Sequence, residues 1–212
     1  MPLPSSPSPI QPSRVFRWRG RIGTLVFVPL ALVAILSGRY WREGTSQDDL
    51  LDEIGLVFLF AGLGMRTWAT LFIGGRKSRT LITQGPYSLC RNPLYLGTFL
   101  IGIAVALFLQ SLTFGAVLLV AGPLLYLPVM REEERVLRQN HGSSYDEYRS
   151  SVPMFLPVRM HSTRPAAEVS VSMLGLRNHL RRSMLTLLLI PIGETVAHLQ
   201  ASGALPDLLR LP

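Results

Sequence analysis

Long apolar runs alternate with short polar blocks along the chain, and their lengths match what a bilayer requires. A spanning helix needs about 20 mostly apolar residues, because each adds about 1.5 Å across about 30 Å of hydrocarbon. The first such run, from about Ile22 to Leu36, contains Pro29 and reaches a full span only if Ser37 to Trp41 extend it. Ile54 to Ile73 is the clearest. Leu94 to Leu109 and Phe114 to Met130 follow, separated only by Gln110, Ser111, Leu112 and Thr113, so they are expected to form an antiparallel helical hairpin. A fifth run, Met184 to Leu199, carries Pro191, Glu194 and His198, polar groups that are costly in lipid unless they face other helices. It reads equally as a span or as a re-entrant or interfacial helix.

This pattern predicts an all-α, polytopic transmembrane helical bundle of four to five spanning helices. Residues 1–21 read as a disordered tail rich in Pro and Ser, 22–160 as the membrane core, 161–182 as a linker, and 183–212 as a C-terminal transmembrane or re-entrant helix and tail. The first run lacks a small-residue cleavage site and is expected to stay as an anchor.

Composition agrees with a membrane protein. Apolar residues make up 48% of the 212 residues and the mean hydropathy is +0.32, while charged residues are only 16% against roughly 25% in soluble proteins. The net charge of +8 would suit a nucleic-acid partner, but the basic residues flank apolar runs, which points to anionic lipid headgroups and not to nucleic acid. With Cys90 the only cysteine, no intrachain disulfide can form. His141 and His161 have no metal-ligand spacing, so no metal is assigned.

The charges also orient the spans. Arg14, Arg17, Arg19 and Arg21 precede the first run; acidic Glu43, Asp48, Asp49, Asp52 and Glu53 outnumber Arg39 and Arg42 before the second. Arg76, Lys77, Arg79 and Arg91 lie between the second and third with no acidic residue, and 131–182 is again basic. Because cytoplasmic loops retain Lys and Arg, the order is in, out, in, out, in, with a cytoplasmic N-terminus. Reduced cysteine and basic loops suit a bacterial cytoplasmic membrane.

Two cytoplasmic segments can therefore build a site for a water-soluble ligand: about 74–93 and 131–182. In the first, Gly85-Pro86 is a turn signal and Asn92-Pro93 a helix start, with Asn92 able to cap. Tyr87 and Tyr95 flank that helix start, as interface anchors or as aromatic faces for an adenine or a sulfonium. In the second, Arg131 to Arg138 continues the fourth run as a charged helix bearing Glu132, Glu133 and Glu134, ending near Asn140, His141 and Gly142. Arg66 lies inside the second span, either snorkelling to headgroups or lining an acceptor pocket. Glu194 and His198 can pair, close the site, or form an interfacial polar stripe. Cys90 reads as a packing residue. Tyr145 and Tyr148 lie on the membrane surface or over a ligand.

The ordered series Gly85-Pro86-Tyr87, Arg91-Asn92-Pro93-Leu94-Tyr95-Leu96-Gly97, Glu133-Glu134-Arg135-Val136-Leu137, His141-Gly142, Tyr145, Tyr148 and Val152-Pro153 resembles the isoprenylcysteine carboxyl methyltransferase and phospholipid methyltransferase superfamily of integral membrane enzymes, over roughly 79–157. The resemblance implies methyl transfer from S-adenosylmethionine, entering from the cytoplasm, to a lipophilic or small-molecule acceptor: a carboxylate, an amine or a thiol. It places Tyr87, Arg91, Asn92, Pro93, Tyr95, Gly97, Glu133 and Glu134 at the cofactor, with Asn92 and Arg66 as catalytic candidates. Many relatives have histidine where this chain has Asn92. The rival reading is a non-catalytic polytopic membrane protein, a transport or assembly component retaining the fold. No oligomeric state follows from the sequence.

Overall fold

The computed structural model describes residues 28–33, 35, 45–73, 80–156 and 173–204. The terminal tail, most of the first apolar run, the basic loop Arg76 to Arg79, residues 157–172 and the last eight residues lie outside the described residues. All regular structure among those described is helical: α1 (Ser46–Ile73), α2 (Pro86–Leu89), α3 (Pro93–Phe108), α4 (Leu112–His141), α5 (Ser143–Ser151), α6 (Met173–Leu187) and α7 (Leu189–Ala201), with residues 28–33 also helical. Ser46–Ile73, Leu112–His141 and Met173–Ala201 are long and apolar enough to cross a membrane, and α3 is a shorter apolar helix of 16 residues. A helix is the form that satisfies every backbone polar group in lipid, so the chain is a polytopic membrane bundle.

Helices α1 and α3 form the tightest pair, and glycine is the reason. A Cβ on Gly62 would lie 2.7 Å from the Gly97 carbonyl oxygen, and one on Gly97 would lie 2.7 Å from the Gly62 carbonyl oxygen. Further along, Gly55 accepts the ring of Phe108, whose edge a Cβ would meet at 2.7 Å. Lipid tails give helices little hydrophobic reason to associate, so close backbone approach across small residues supplies the contact instead.

The turn between α3 and α4 is latched to the start of α1. Gln110 adopts φ 47° there, and its amide donates to the carboxylate of Asp48; each residue is only 3% exposed. Ser111 caps α4 by accepting from the Phe114 N–H at 3.2 Å. Helix α4 then runs unbroken for 30 residues through Pro123 and Pro128 and carries its charged extension to His141, as the sequence predicts. Gly142, at φ 56°, turns the chain into α5.

Helices α6 and α7 lie antiparallel along α1. His179 meets Thr67 at 3.0 Å, Leu187, Leu189 and Ile190 pack on Leu59, Leu63 and Phe108, and Glu194 shares a small pocket with Asp52. The interval from His179 to Glu194 equals that from Thr67 to Asp52, about 22 Å of helix, so the fifth apolar stretch is coextensive with the clearest span. The helix begins at Met173, not near Met184, and the second half of the expected 161–182 linker is helical. Arg177, Arg181 and Arg182 conceal this in a hydropathy reading, although nothing in that stretch breaks a helix. Pro191 falls in the first turn of α7, where its missing N–H leaves no bond unmade, which explains the break at Leu188.

Replacing Gly62 with Ala is expected to destabilise the bundle by about 1–3 kcal/mol, since the new methyl meets backbone that cannot rotate away. Gly64 has open space where its Cβ would be, so Gly64→Ala should be neutral or stabilising by up to about 1 kcal/mol. Thermal unfolding of both variants in the same detergent checks the contrast.

Candidate cofactor site

The site is assembled where the chain entering α3 meets the charged extension of α4. Gly85, at φ 61°, makes the turn into α2 with the Phe72 ring packed where a side chain would stand. That contact anchors α2 to the end of α1. Pro86 and Pro93 open α2 and α3, and both are fully buried.

Arg91 joins four parts of the chain. Its backbone N–H donates to the Pro153 carbonyl at 2.9 Å, its Nη1 donates to the Arg149 carbonyl at 3.2 Å, and its Nε lies 3.1 Å from Glu134 Oε1. The side chains of Arg91 and Glu134 are 10% and 12% exposed, so water screens this ion pair poorly. Asn92 stands at the N-cap position of α3, but its side chain does not cap the helix as the sequence suggested. Its amide donates to the Met154 carbonyl at 3.1 Å and towards Glu134 Oε1 at 3.5 Å. Asn92 is 7% exposed, and its amide nitrogen is directed to this carboxylate and carbonyl.

One turn along, the Tyr95 hydroxyl donates to Glu133 Oε1 at 3.0 Å, and its ring lies 5.6 Å from that of Tyr126. Burial foremost, then the charge of Glu133, pushes the Tyr87 phenol above its ordinary pKa, so it stays protonated beside that carboxylate. Arg91, Asn92, Tyr95, Glu133 and Glu134 therefore share one polar cluster, with Tyr87 at its edge.

Tyr145 and Tyr148 are buried and not exposed on the surface, and Tyr145 neighbours Glu134 and Arg91 of this cluster. They pack edge to face at 6.1 Å with Val152, Leu81 and Leu137, and the Tyr148 hydroxyl donates to the Tyr87 carbonyl at 2.6 Å. Desolvation drives both phenols upward in pKa, and they serve as the neutral support of α2. Gly97 faces Gly62 and Arg66 on α1, away from the two glutamates' contacts. Arg66 donates to the Thr98 hydroxyl, one turn deeper than Tyr95. Glu194 and His198 are exposed on α7, as a polar stripe.

In the sequence, Asn140 and His141 read only as the end of the charged helix. They lie seven residues beyond Glu133 and Glu134, on the same faces of α4 and about 10 Å further along. Asn140 Nδ2 and His141 Nε2 are buried without a hydrogen-bond partner among the described residues. The seven-residue spacing was the available signal. The carboxylates of Glu133 and Glu134 and the ring faces of Tyr95 and Tyr126 are groups able to meet a cation.

Next to the cluster, α3 and α4 diverge around a cavity of about 490 Å³. Tyr95, Thr98 and Tyr126 supply its few polar atoms; Phe99, Leu118 and Met130 are typical of the rest. A space of this size suits an apolar molecule or the chain of an amphiphile.

Cys90, between α2 and α3, is fully buried, and loss of solvation pushes its thiol up to about 11. An unfolded thiol ionises near 8.5, so the fold favours the neutral form, and the stability it contributes below that value is lost as pH rises through about 11. At pH 8 a maleimide should label the folded protein at least about tenfold more slowly than the denatured chain, as a mass-spectrometric time course would show.

The phospholipid methyltransferase family pattern matches residues 54–144, from α1 to the turn after α4. The chain is 31% identical over 212 residues to the nickel-cobalt-cadmium resistance protein NccN of Alcaligenes xylosoxydans xylosoxydans, covering 100% of this chain and 97% of that protein. It is 37% identical over 160 residues to the cobalt-zinc-cadmium resistance protein CzcN of Cupriavidus metallidurans, covering 72% and 74%. To the mouse protein-S-isoprenylcysteine O-methyltransferase it is 29% identical over 133 residues, 58% of this chain and 46% of that enzyme. No solved structure matches. The matched family pattern and these relatives together show that the chain belongs to the phospholipid methyltransferase and isoprenylcysteine methyltransferase superfamily of membrane proteins.

Proposed function

We propose that this protein is a membrane methyltransferase that moves a methyl group from S-adenosylmethionine to an acceptor at the cytoplasmic face of a bacterial cytoplasmic membrane, with its N-terminus cytoplasmic. One observation carries the reading: the residues entering α3 and those leaving α4 converge, Asn92 on Glu134 at 3.5 Å and Tyr95 on Glu133 at 3.0 Å. Residues 42 and 38 apart in sequence thus form one small polar surface against an apolar cavity.

S-adenosylmethionine supplies the methyl group on a sulfonium, so the protein has little proton transfer to perform and much alignment. Glu133 and Glu134 bind ribose hydroxyls or an ammonium, and Arg91 fixes the orientation of Glu134. Asn92 takes the place of a histidine found in many relatives and acts here by hydrogen bonding, since an amide does not accept a proton near neutral pH. Tyr95 and Tyr126 offer ring faces to a cation at the mouth of the cavity. The apolar cavity excludes water and holds the acceptor in line, which is where the rate enhancement of such a displacement arises.

Glu133→Gln and Glu134→Gln should each weaken S-adenosylmethionine binding by at least about tenfold, or about 1.4 kcal/mol, in calorimetry on the detergent-purified protein. Unchanged affinity in both variants would remove the site assignment.

The resistance names of the full-length bacterial relatives favour a second reading, in which the chain is a non-catalytic component of a metal-resistance system. The two readings separate in one experiment. Where expression of the wild-type chain confers cobalt or cadmium tolerance, a catalytic role predicts that Glu133→Gln abolishes it at equal protein level, whereas a non-catalytic component keeps it.

A further inference from the structure

Helix α6 lies outside the segment matched by the family pattern, and it brings a second polar cluster against α1. His179, 8% exposed, meets the Thr67 hydroxyl at 3.0 Å and the Ser183 hydroxyl at 3.3 Å through one ring nitrogen. Arg66, on the next residue of α1, donates to Thr98. Arg182, one turn beyond His179, is the leading charged neighbour of Arg66, and Arg66 and Arg182 are the charged neighbours of His179. Neither guanidinium has a carboxylate partner among the described residues.

Two guanidiniums and an imidazole thus lie within electrostatic reach of one another at the edge of an apolar span, with no carboxylate partner among the described residues. Arg66 stands about two turns inside the end of α1, and bringing it beside Arg182 is unfavourable in a low dielectric unless an anion joins them. Arg177, Arg181 and Arg182 put the first two-thirds of α6 at the headgroup level on the cytoplasmic side. Lipid phosphates are abundant at that depth, and a basic pocket between spanning helices is a form that holds them.

We propose that Arg66, His179 and Arg182 form a binding site for a phosphate-type anion, with Thr67 and Thr98 fixing the basic groups. The ligand chemistry is a phosphodiester or phosphate oxyanion, supplied by an acidic phospholipid headgroup or by free phosphate. Bound there, it neutralises the seam between α1 and α6 and holds α6 and α7 against the core. The proposal does not rest on methyl transfer and is tested without it.

The test is thermal unfolding of the full chain in phosphatidylcholine mixed micelles, titrated with phosphatidylglycerol in one arm and with inorganic phosphate in the other. A saturable rise in melting temperature with phosphatidylglycerol assigns the lipid headgroup; a rise with inorganic phosphate assigns the free anion. In either arm Arg182→Gln should raise the half-saturating concentration at least about fivefold, and Arg66→Gln at least as much. Arg182 is exposed, so its variant keeps the fold testable should Arg66→Gln unfold. Arg181→Gln, an equal loss of charge on the same helix, should leave the response unchanged. No stabilisation in either arm overturns the proposal, as does a response that survives Arg182→Gln or falls equally in Arg181→Gln.

Discussion

The junction at Arg91 holds the cytoplasmic end of the bundle together. One residue connects the loop before α3, the glutamate on α4, the end of α5 and the chain that follows it, through an ion pair at 3.1 Å and two carbonyl contacts. Removing either charge would leave the other nearly buried and unpaired, a cost of order 3–5 kcal/mol for such pairs. The candidate cofactor surface depends on this junction. It acts with the Tyr95–Glu133 and Asn92–Glu134 hydrogen bonds to hold the entry of α3 against the extension of α4.

That sequence alone could reach this far has a specific cause. Apolar runs and loop charges report lipid contact directly, so α1, the hairpin and the charged extension of α4 were all readable. The convergence of Arg91, Asn92, Tyr95, Glu133 and Glu134 was readable only through the ordered motif, because no local pattern says which residues meet across 40 positions. Gly97 shows the limit: it belongs to the same motif, yet its missing side chain makes room for Gly62 and Arg66. The role of Tyr145 and Tyr148 was undecidable because a buried tyrosine and an interfacial one look alike in sequence. The early start of α6 was hidden by its arginines, which lower hydropathy without disfavouring helix.

The same glycine contact explains why the bundle is asymmetric. Gly62 and Gly97 draw α3 against α1, and α3 therefore leans away from α4, its neighbour in the chain. The latch from Gln110 to Asp48 fixes the turn end of the hairpin, and Arg91 with Glu134 fixes the other. Between two tied ends and one close-packed flank, the divergence is forced into the middle, where the cavity lies.

A cavity of about 490 Å³ with apolar walls is expensive to keep empty, since unfilled volume forfeits packing at about 24 cal/mol per Å³ in core-truncation experiments. An enclosed void of that size would forfeit about 12 kcal/mol, comparable with the whole stability of a typical domain, so this half-open apolar space is expected to take up a lipid acyl chain when nothing else is bound. In the proposed reaction an acceptor entering it would exchange with lipid and not with water. Its affinity rests on what it adds beyond an acyl chain, and the polar atoms available at the wall for that discrimination are those of Tyr95, Thr98 and Tyr126. Under the proposed function, selection of an acceptor would fall to the end of the cavity that touches the glutamate cluster, which is also where a methyl group would be delivered.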